Sequence, residues 1–431
     1  MIVDRGLARR AEADRPILFG LFGAGFMAQG IVNQIRYLEG IECVAICNRS
    51  IDRAVRLVEE FSAREPAVVS STAELDDSIE SGRIAITDSP DVVSGSQSIE
   101  CLVEATGHID YGARATYAAI EGGKHVVLMN AELDATVGPL LKAKADDRGV
   151  VYTGCDGDQP AVQINLYRFV ESIGLVPLVC GNIKGLQDRY RTPETQAAYA
   201  KQWGQTPSMV TSFADGTKIS FEQAIVANAT GMKVSERGMR GIEHDGHIDD
   251  LVDRYDVEEL RAHGGIVDYV IGPRPSPGVY VFAEARDEVQ ELYLRYGKLG
   301  DGPLYSFYVP YHLTALEVTN SVVRAVEYRD AAIAPQGGLV VDVVAAAKRD
   351  IGEGETIDGL GGFMTYGLCE NHEVVRDSGL LPMGLAEGSV ATRQISKDEV
   401  ISVQDVCYPG DTVIHGLREQ QDALFAGWGR S

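Results

Sequence analysis

Long apolar runs are missing from this chain. None of its 431 residues lie in a run approaching the ~20 that a membrane-crossing helix needs, so a membrane protein is not expected. Metal-type cysteine spacing is missing too. Of the seven cysteines, Cys43 and Cys47 stand four apart and the rest are scattered singly, without C-x-x-C, which argues for reduced thiols in the cytosol. Residues 1–16 carry Asp4, Arg5, Arg9, Arg10, Glu12, Asp14 and Arg15 where a secretory leader would need an apolar core; they read as a charged helix ahead of the first strand. No low-complexity linker marks a domain border. Positive charge is scarce: 39 Lys and Arg against 63 Asp and Glu leave −24, which repels nucleic acid and anionic membrane over most of the surface. Neither is expected as a partner. A small-molecule substrate, even an anionic one, can still be held by a local lysine cluster or a helix N-terminus.

What is present is the balance of a soluble globular chain, 45% hydrophobic and 24% charged. Its length is enough for two or three domains at about 150 residues each. A strand from Ile17 ends in a glycine turn and is followed by a helix through about Tyr37 and a strand Glu42 to Cys47. Further along come an apolar run Ile99 to Glu104, a small-residue helix Tyr111 to Glu121, a strand His125 to Met129, a helix Val137 to Arg148 and a strand Val150 to Tyr152. Such alternation predicts parallel βαβ units, hence an α/β fold with a Rossmann-like doubly wound sheet over 1–155. Residues 156–335 read as an α+β substrate domain: a helix Ala161 to Ile173, a strand Leu175 to Asn182, a helix Phe221 to Thr230, and strand-like alternation from Tyr280 to Tyr311. Within 336–431 a weak repeat stands out, 348–357 echoed by 392–401, 44 residues later. Each copy holds a basic residue, an isoleucine two on, a tight turn and a glutamate, which predicts a small β module with two similar corners.

The turn Gly20-Leu-Phe-Gly23-Ala-Gly25-Phe26-Met27-Ala28 is G-x-G-x-x-A directly after a strand and opening a helix, the context of dinucleotide binding. Gly23 would permit the turn, Gly25 would let a pyrophosphate approach the backbone, and the first amides of the helix, at Phe26 and Met27, would face the phosphates. The end of the second strand offers Asn48 and Arg49 in place of an acid for the ribose 2′-hydroxyl, so NADP is expected ahead of NAD. Ala105, Thr106 and Gly107 after the Glu104 strand, and Asn130 and Glu132 after the strand ending at Met129, complete the expected cofactor edge.

Reactive side chains crowd the second domain: Lys184 between glycines, then Asp215, Lys218 and Glu222. Reducing a carbonyl by hydride needs a proton donor for the developing alkoxide, and lysine supplies both proton and charge. Lys218 and Glu222, four apart, share a helix face. The pair His244 and His247 sits in an Asp/Gly-rich stretch without a third ligand and reads as a solvated acidic loop, so no metal site is assigned. Asp158 reads as a helix N-cap, with lining of the site as the alternative, and His312 as a core histidine with the same alternative.

The glycine turn, residues 129–138, Gly-Asp-Gln-Pro at 157–160, Ser212 to Lys218, Val226 to Gly231 and Leu381 to Gly388 together resemble homoserine-dehydrogenase-like oxidoreductases with a C-terminal SAF domain. The resemblance spans essentially the whole chain and implies NAD(P)-dependent hydride chemistry on a small polar metabolite, with the catalytic lysine and acid in the domain after the Rossmann unit, which agrees with Lys184, Asp215 and Lys218. It also implies a SAF-like β-clip at the C-terminus. The group includes an enzyme resembling 1-deoxy-D-xylulose 5-phosphate reductoisomerase. That makes a sugar-phosphate reductoisomerase, with its divalent cation, the rival expectation; a non-catalytic nucleotide sensor is the other. A cytoplasmic homo-oligomer is expected.

Overall fold

The computed structural model describes residues 2–410 and 412–426. The chain forms two compact units. The first takes 2–158, Leu313–Ala334 and Thr412–Gln421, and the second Gln159–His312, 335–410 and 422–426. The segment 335–410 thus folds with the central block, and the stretch Leu313–Ala334 returns to the first unit.

The first unit is built on seven parallel strands, β1 (Ile17–Phe22), β2 (Ile41–Cys47), β3 (Pro66–Val68), β4 (Ile84–Thr87), β5 (Cys101–Glu104), β6 (His125–Leu128) and β7 (Tyr152–Gly154), in the order β3-β4-β2-β1-β5-β6-β7. This is the expected Rossmann-like sheet. Central β1 is almost wholly apolar and buried, as a strand covered on both faces must be. Its helices are α1 (Val3–Glu12), α2 (Phe26–Ile35), α3 (Ile51–Phe61), α4 (Thr72–Glu80), α5 (Pro90–Gly95), α6 (Ile109–Glu121) and α7 (Ala131–Asp147). The charged start of the chain is indeed a helix. Arg10 of α1 ion-pairs with Glu327, on the helix Thr314–Tyr328, and with Glu100 at 3.0 Å.

Helix α7 starts six residues before the Val137 expected from the sequence. Gly138 and Pro139 look like breakers, and Pro139 cannot donate a backbone hydrogen bond. The fold repairs the ladder from outside. The Gln421 carboxamide, on the helix Val413–Phe425, accepts from Leu140 N at 3.1 Å and donates to Thr136 O at 3.0 Å, bridging a donor and acceptor four apart.

The second unit carries a five-stranded mixed sheet, β12-β11-β8-β10-β9, made of β8 (Val176–Lys184), β9 (Ile242–Glu243), β10 (Ile266–Ile271), β11 (Gly278–Glu284) and β12 (Leu304–Val309). With it are helices α8 (Gln159–Ser172), α9 (Pro193–Trp203), α10 (Pro207–Ala214), α11 (Thr217–Thr230), α12 (Val257–His263) and α13 (Glu288–Tyr296). The stretch Tyr280 to Tyr311 is therefore not continuous strand. Helix α13 lies inside it, because Val289, Leu292, Tyr293 and Tyr296 recur at the helical period although their residue types favour strands. Among the described residues no helix is long and apolar enough to cross a membrane.

The two repeat copies pair with each other. Ile351 and Ile395 exchange both backbone hydrogen bonds, at 2.8 and 2.9 Å. Around them every feature recurs at a shift of 44 residues. Gly354 N bonds Ala391 O, and Asp398 N bonds Ala347 O, each at 2.8 Å. Glu355 accepts from Gly352 N and pairs with Arg349; Glu399 accepts from Ser396 N and pairs with Arg393. Both turns pass through left-handed backbone, at Gly354 (φ +84°) and Asp398 (φ +65°). Beside them runs the hairpin of β13 (Val341–Ala347) and β14 (Thr365–Asn371). Since Ile351 and Ile395 are both fully buried at equivalent positions, Ile351→Ala and Ile395→Ala should each cost about 2–5 kcal/mol, and by nearly the same amount in chemical denaturation. A marked inequality would contradict the equivalence.

Candidate active site

The glycine turn lies at the C-terminal end of β1, where strand order reverses between β2 on one side and β5 on the other. That crevice is where open α/β sheets take nucleotides. The two glycines there differ. Gly23 has φ +109°, and a Cβ on it would stand 2.8 Å from the Ala105 carbonyl oxygen, so the backbone itself requires glycine. Gly25 is extended (φ −92°, ψ −162°), and a Cβ would meet nothing within 4 Å. Nothing in the protein's own packing demands glycine there. Gly25 caps α2, whose first residues Phe26 and Met27 lead with amides that have no partner within the helix.

The neighbouring expected residues gather along the same strand ends. Gly23 N donates to Cys47 O and Asn48 N to Thr87 O, which fixes the end of β2. There the Arg49 guanidinium lies 5.7 Å from the centre of the Tyr111 ring, and the Asn48 side chain donates to Ser50 O. Ala105 N donates to Phe22 O, and Met129 N to Glu104 O. Gly107 takes φ +69°. Asn130 is buried; its side chain caps Leu133 N at 3.1 Å and donates to His108 O. Glu132 is buried in the first turn of α7.

Two carboxyls in this unit, Glu104 before the 105–107 loop and Asp134 within 129–138, are legible in the sequence only as members of those segments. Glu104, at the end of β5, is completely buried; Thr106 donates to it through both backbone N–H and hydroxyl. Burial pushes its pKa up to about 7 against those donors. Asp134 of α7 is likewise pushed to about 7 by burial, opposed by the hydrogen bond from the Tyr152 hydroxyl at 2.8 Å. Both lie in segments that the sequence marks out, but the burial that shifts them is a property of the packed unit and not of those segments.

In the second unit the centre of gravity is Asn182, in the middle of β8 and fully buried. Its amide donates to Glu222 at 2.8 Å and to Gln159 at 2.9 Å, and its oxygen accepts from Gln163, which in turn accepts from Gln223. All five side chains are buried, so α8, β8 and α11 are joined by a polar network in low dielectric. Lys184 follows Asn182 by two along β8, so it leaves the strand on the same face; it is half-buried. Lys218 and Glu222 sit four apart on α11 as expected. Lys184 thus lies on the strand face from which Asn182 reaches Glu222 of α11.

Asp215 turns elsewhere. Fully buried, it pairs with Lys348 at 2.7 Å and accepts from Thr217 N at 2.8 Å, capping the start of α11. Burial raises its pKa, against the lowering effect of Lys348. The Lys348 ammonium also donates to Arg191 O and Gly362 O. In the sequence Lys348 is only the first residue of a repeat copy, ahead of the arginine that recurs. His244 and His247 are engaged by Asp250 and Asp249, and among the described residues no group of three or more His, Cys, Asp or Glu side chains could hold a metal. Asp156 pairs with Arg324 at 2.8 Å.

Comparison with known proteins agrees with an oxidoreductase. Residues 157–318 match the family model described as the catalytic domain of oxidoreductase DRL, and residues 14–107 match that of shikimate/quinate 5-dehydrogenase. A 1-deoxy-D-xylulose 5-phosphate reductoisomerase of Anaeromyxobacter dehalogenans is 29% identical over 242 residues, 53% of this chain and 52% of its own length, so the chain spans about half of that relative. Among solved structures, an NAD-binding oxidoreductase from Klebsiella pneumoniae is 15% identical over 40% of this chain and 43% of its own, with a TM-score of 0.30. A DOX-P reductoisomerase crystallised with fosmidomycin and magnesium is 14% identical over 72% and 79%, with a TM-score of 0.41.

The two raised carboxyls make stability depend on pH. Ordinary glutamate and aspartate ionise near 4.5 and 3.8, Glu104 and Asp134 near 7, so between those limits the folded protein holds more protons than the unfolded chain. Their contribution is complete below the ordinary range and is lost as pH rises through about 7. The denaturation midpoint should fall between about pH 5 and about pH 8, and Glu104→Gln with Asp134→Asn should flatten that fall. A wild-type midpoint insensitive to pH over this interval would contradict the assignment.

Proposed function

We propose that this NAD(P)-dependent oxidoreductase uses NADPH to transfer hydride between nicotinamide and a carbonyl or hydroxyl carbon of a small polar metabolite. The observation that carries the reading is the open space at Gly25 in front of the first amides of α2, where no described residue comes within 4 Å of a Cβ. The residues present therefore fit a dinucleotide: Gly25, Phe26 and Met27 would hold the pyrophosphate, Asn48 and Arg49 the ribose end, and the 105–107 loop with Asn130 the remainder of the edge. When bound, the cofactor supplies or accepts the hydride. Arg49 beside an Asn rather than an acid supports a 2′-phosphate.

In the second unit, Lys184 and Lys218 are assigned to polarise the substrate oxygen and to give it a proton as charge develops. Glu222, oriented by Asn182, balances their charge and can take the proton in the reverse direction. Asp215 acts indirectly. By capping Thr217 and pairing with Lys348 it sets where α11 begins, and so where Lys218 and Glu222 stand. The β module is assigned to support this helix rather than to react, and its paired corners support the SAF-like reading.

A second reading is favoured by the reductoisomerase match: rearrangement of a sugar phosphate before hydride transfer. Such a reaction commonly needs a divalent cation. Among the described residues no group of three or more His, Cys, Asp or Glu side chains is placed to hold one.

Cofactor titration and a carbonyl-substrate screen test these assignments. NADPH should bind at least about tenfold more tightly than NADH, a difference of ~1.4 kcal/mol, and Arg49→Ala should erase the preference. Gly25→Val should abolish binding without lowering the melting temperature, because its side chain meets open space in the free protein. Lys184→Ala and Glu222→Gln should lower kcat about a hundredfold or more with NADPH affinity retained. Equal affinity for both cofactors would overturn the NADPH assignment, and full NADPH binding by Gly25→Val would remove the cofactor site from this turn.

A further inference from the structure

Helix α13 shows a face that its own unit leaves uncovered. None of its nine residues is buried, and its apolar stripe is open to solvent: Val289 is 61% exposed, Leu292 59%, Tyr293 69% and Tyr296 84%. A helix this short is not stable in water by itself, and most helical stability comes from packing an apolar face. Here that face has no partner within the unit. The helix is tied down by its polar side instead, with Gln290 and Arg286 donating to the Gly174 carbonyl just beyond the end of α8. On α8, Phe169 and Ile173 are themselves 51% and 45% exposed.

The charge pattern says what would cover it. Asp287, Glu288 and Glu291 precede or occupy the first half of α13, and Arg295 and Lys298 occupy or follow the second half, Arg295 also pairing with Asp301 at 3.0 Å on the solvent-exposed surface. A copy of the same helix laid antiparallel about a twofold axis near Leu292 and Tyr293 would set the acidic half of each against the basic half of the other. The two apolar stripes would meet between them, the self-complementary arrangement that a twofold interface requires. The area is sufficient. Each tyrosine buries about 150–250 Å² when covered, and Val289, Leu292, Phe169 and Ile173 bring the patch towards the ~800 Å² per partner of a stable interface.

We propose that α13 is the surface through which two copies of this chain associate, antiparallel and about a twofold axis. The prediction concerns assembly and does not depend on the reaction proposed above. Sedimentation velocity on the full chain at micromolar concentration should show a dimer. Leu292→Glu and Tyr296→Glu should each yield monomer with an unchanged thermal melt. Glu288→Lys and Lys298→Glu, singly, should weaken the dimer about tenfold, and the two together should restore it, since the swap returns opposite charges to each other across the axis. A monomeric wild-type protein, or a dimer indifferent to Leu292→Glu and Tyr296→Glu, would overturn the proposal. A double charge swap as weak as the single variants would overturn the antiparallel arrangement.

Discussion

The second unit depends on one buried ion pair. Lys348 spends all three ammonium protons inside the protein, on the Asp215 carboxylate and on the carbonyls of Arg191 and Gly362. Three segments distant in sequence are thereby held at one point. Removing two charges from water is costly, and only full satisfaction of this kind offsets it. The consequence reaches α11, because the same Asp215 caps its first turn, and the Thr217 hydroxyl of that turn also accepts from Gly367 N of β14. Lys218 and Glu222 therefore stand on a helix whose beginning is fixed by the β module.

Polar groups placed in low dielectric recur throughout the molecule and are handled in two ways. Around Asn182, each amide or carboxylate finds another side chain, so a chain of four carboxamides and one glutamate runs through the core without an exposed member. Such a network is directional and can hold a carboxylate in one orientation. In the first unit, Glu104 and Asp134 have fewer donors than their burial demands, and the balance appears as raised pKa values rather than as further hydrogen bonds. A chain with a net charge of −24 thus keeps some of its acidity in reserve as neutral carboxyl groups.

The β module shows why a faint repeat can still be structurally faithful. Few residues are identical between 348–357 and 392–401, but Arg349 with Arg393, Ile351 with Ile395 and Glu355 with Glu399 make the corner, and Ile357 with Ile401, both buried, close each copy. The isoleucines face each other, and each arginine clamps the glutamate that holds its own turn. Positions between them differ in residue type, although Gly354 and Asp398 share the left-handed backbone that the turn requires.

Local chemistry made much of the design legible in advance. The parallel sheet, the Gly23 turn, the paired repeat corners and the Lys218 and Glu222 spacing all rest on neighbours within a few residues, where backbone sterics and period decide the outcome. Two things escaped that reading. Helix α7 looked shorter than it is because the ladder beside Pro139 is mended from nearly three hundred residues away, by Gln421 with Arg418. Helix α13 looked like strand because its tyrosines and valine favour strands, while its period followed the helix. The site divides in the same way. Gly25, Lys184 and Glu222 could be named from motif and spacing, whereas the link from Asp215 to Lys348 and the binding of Glu222 to Asn182 are long-range pairings. Their partners are 133 and 40 residues apart, and no local pattern records them. Which carboxyls are buried, and therefore which hold their protons near neutrality, was decided only when the chain had closed around them, because desolvation belongs to the packed core and not to the residue.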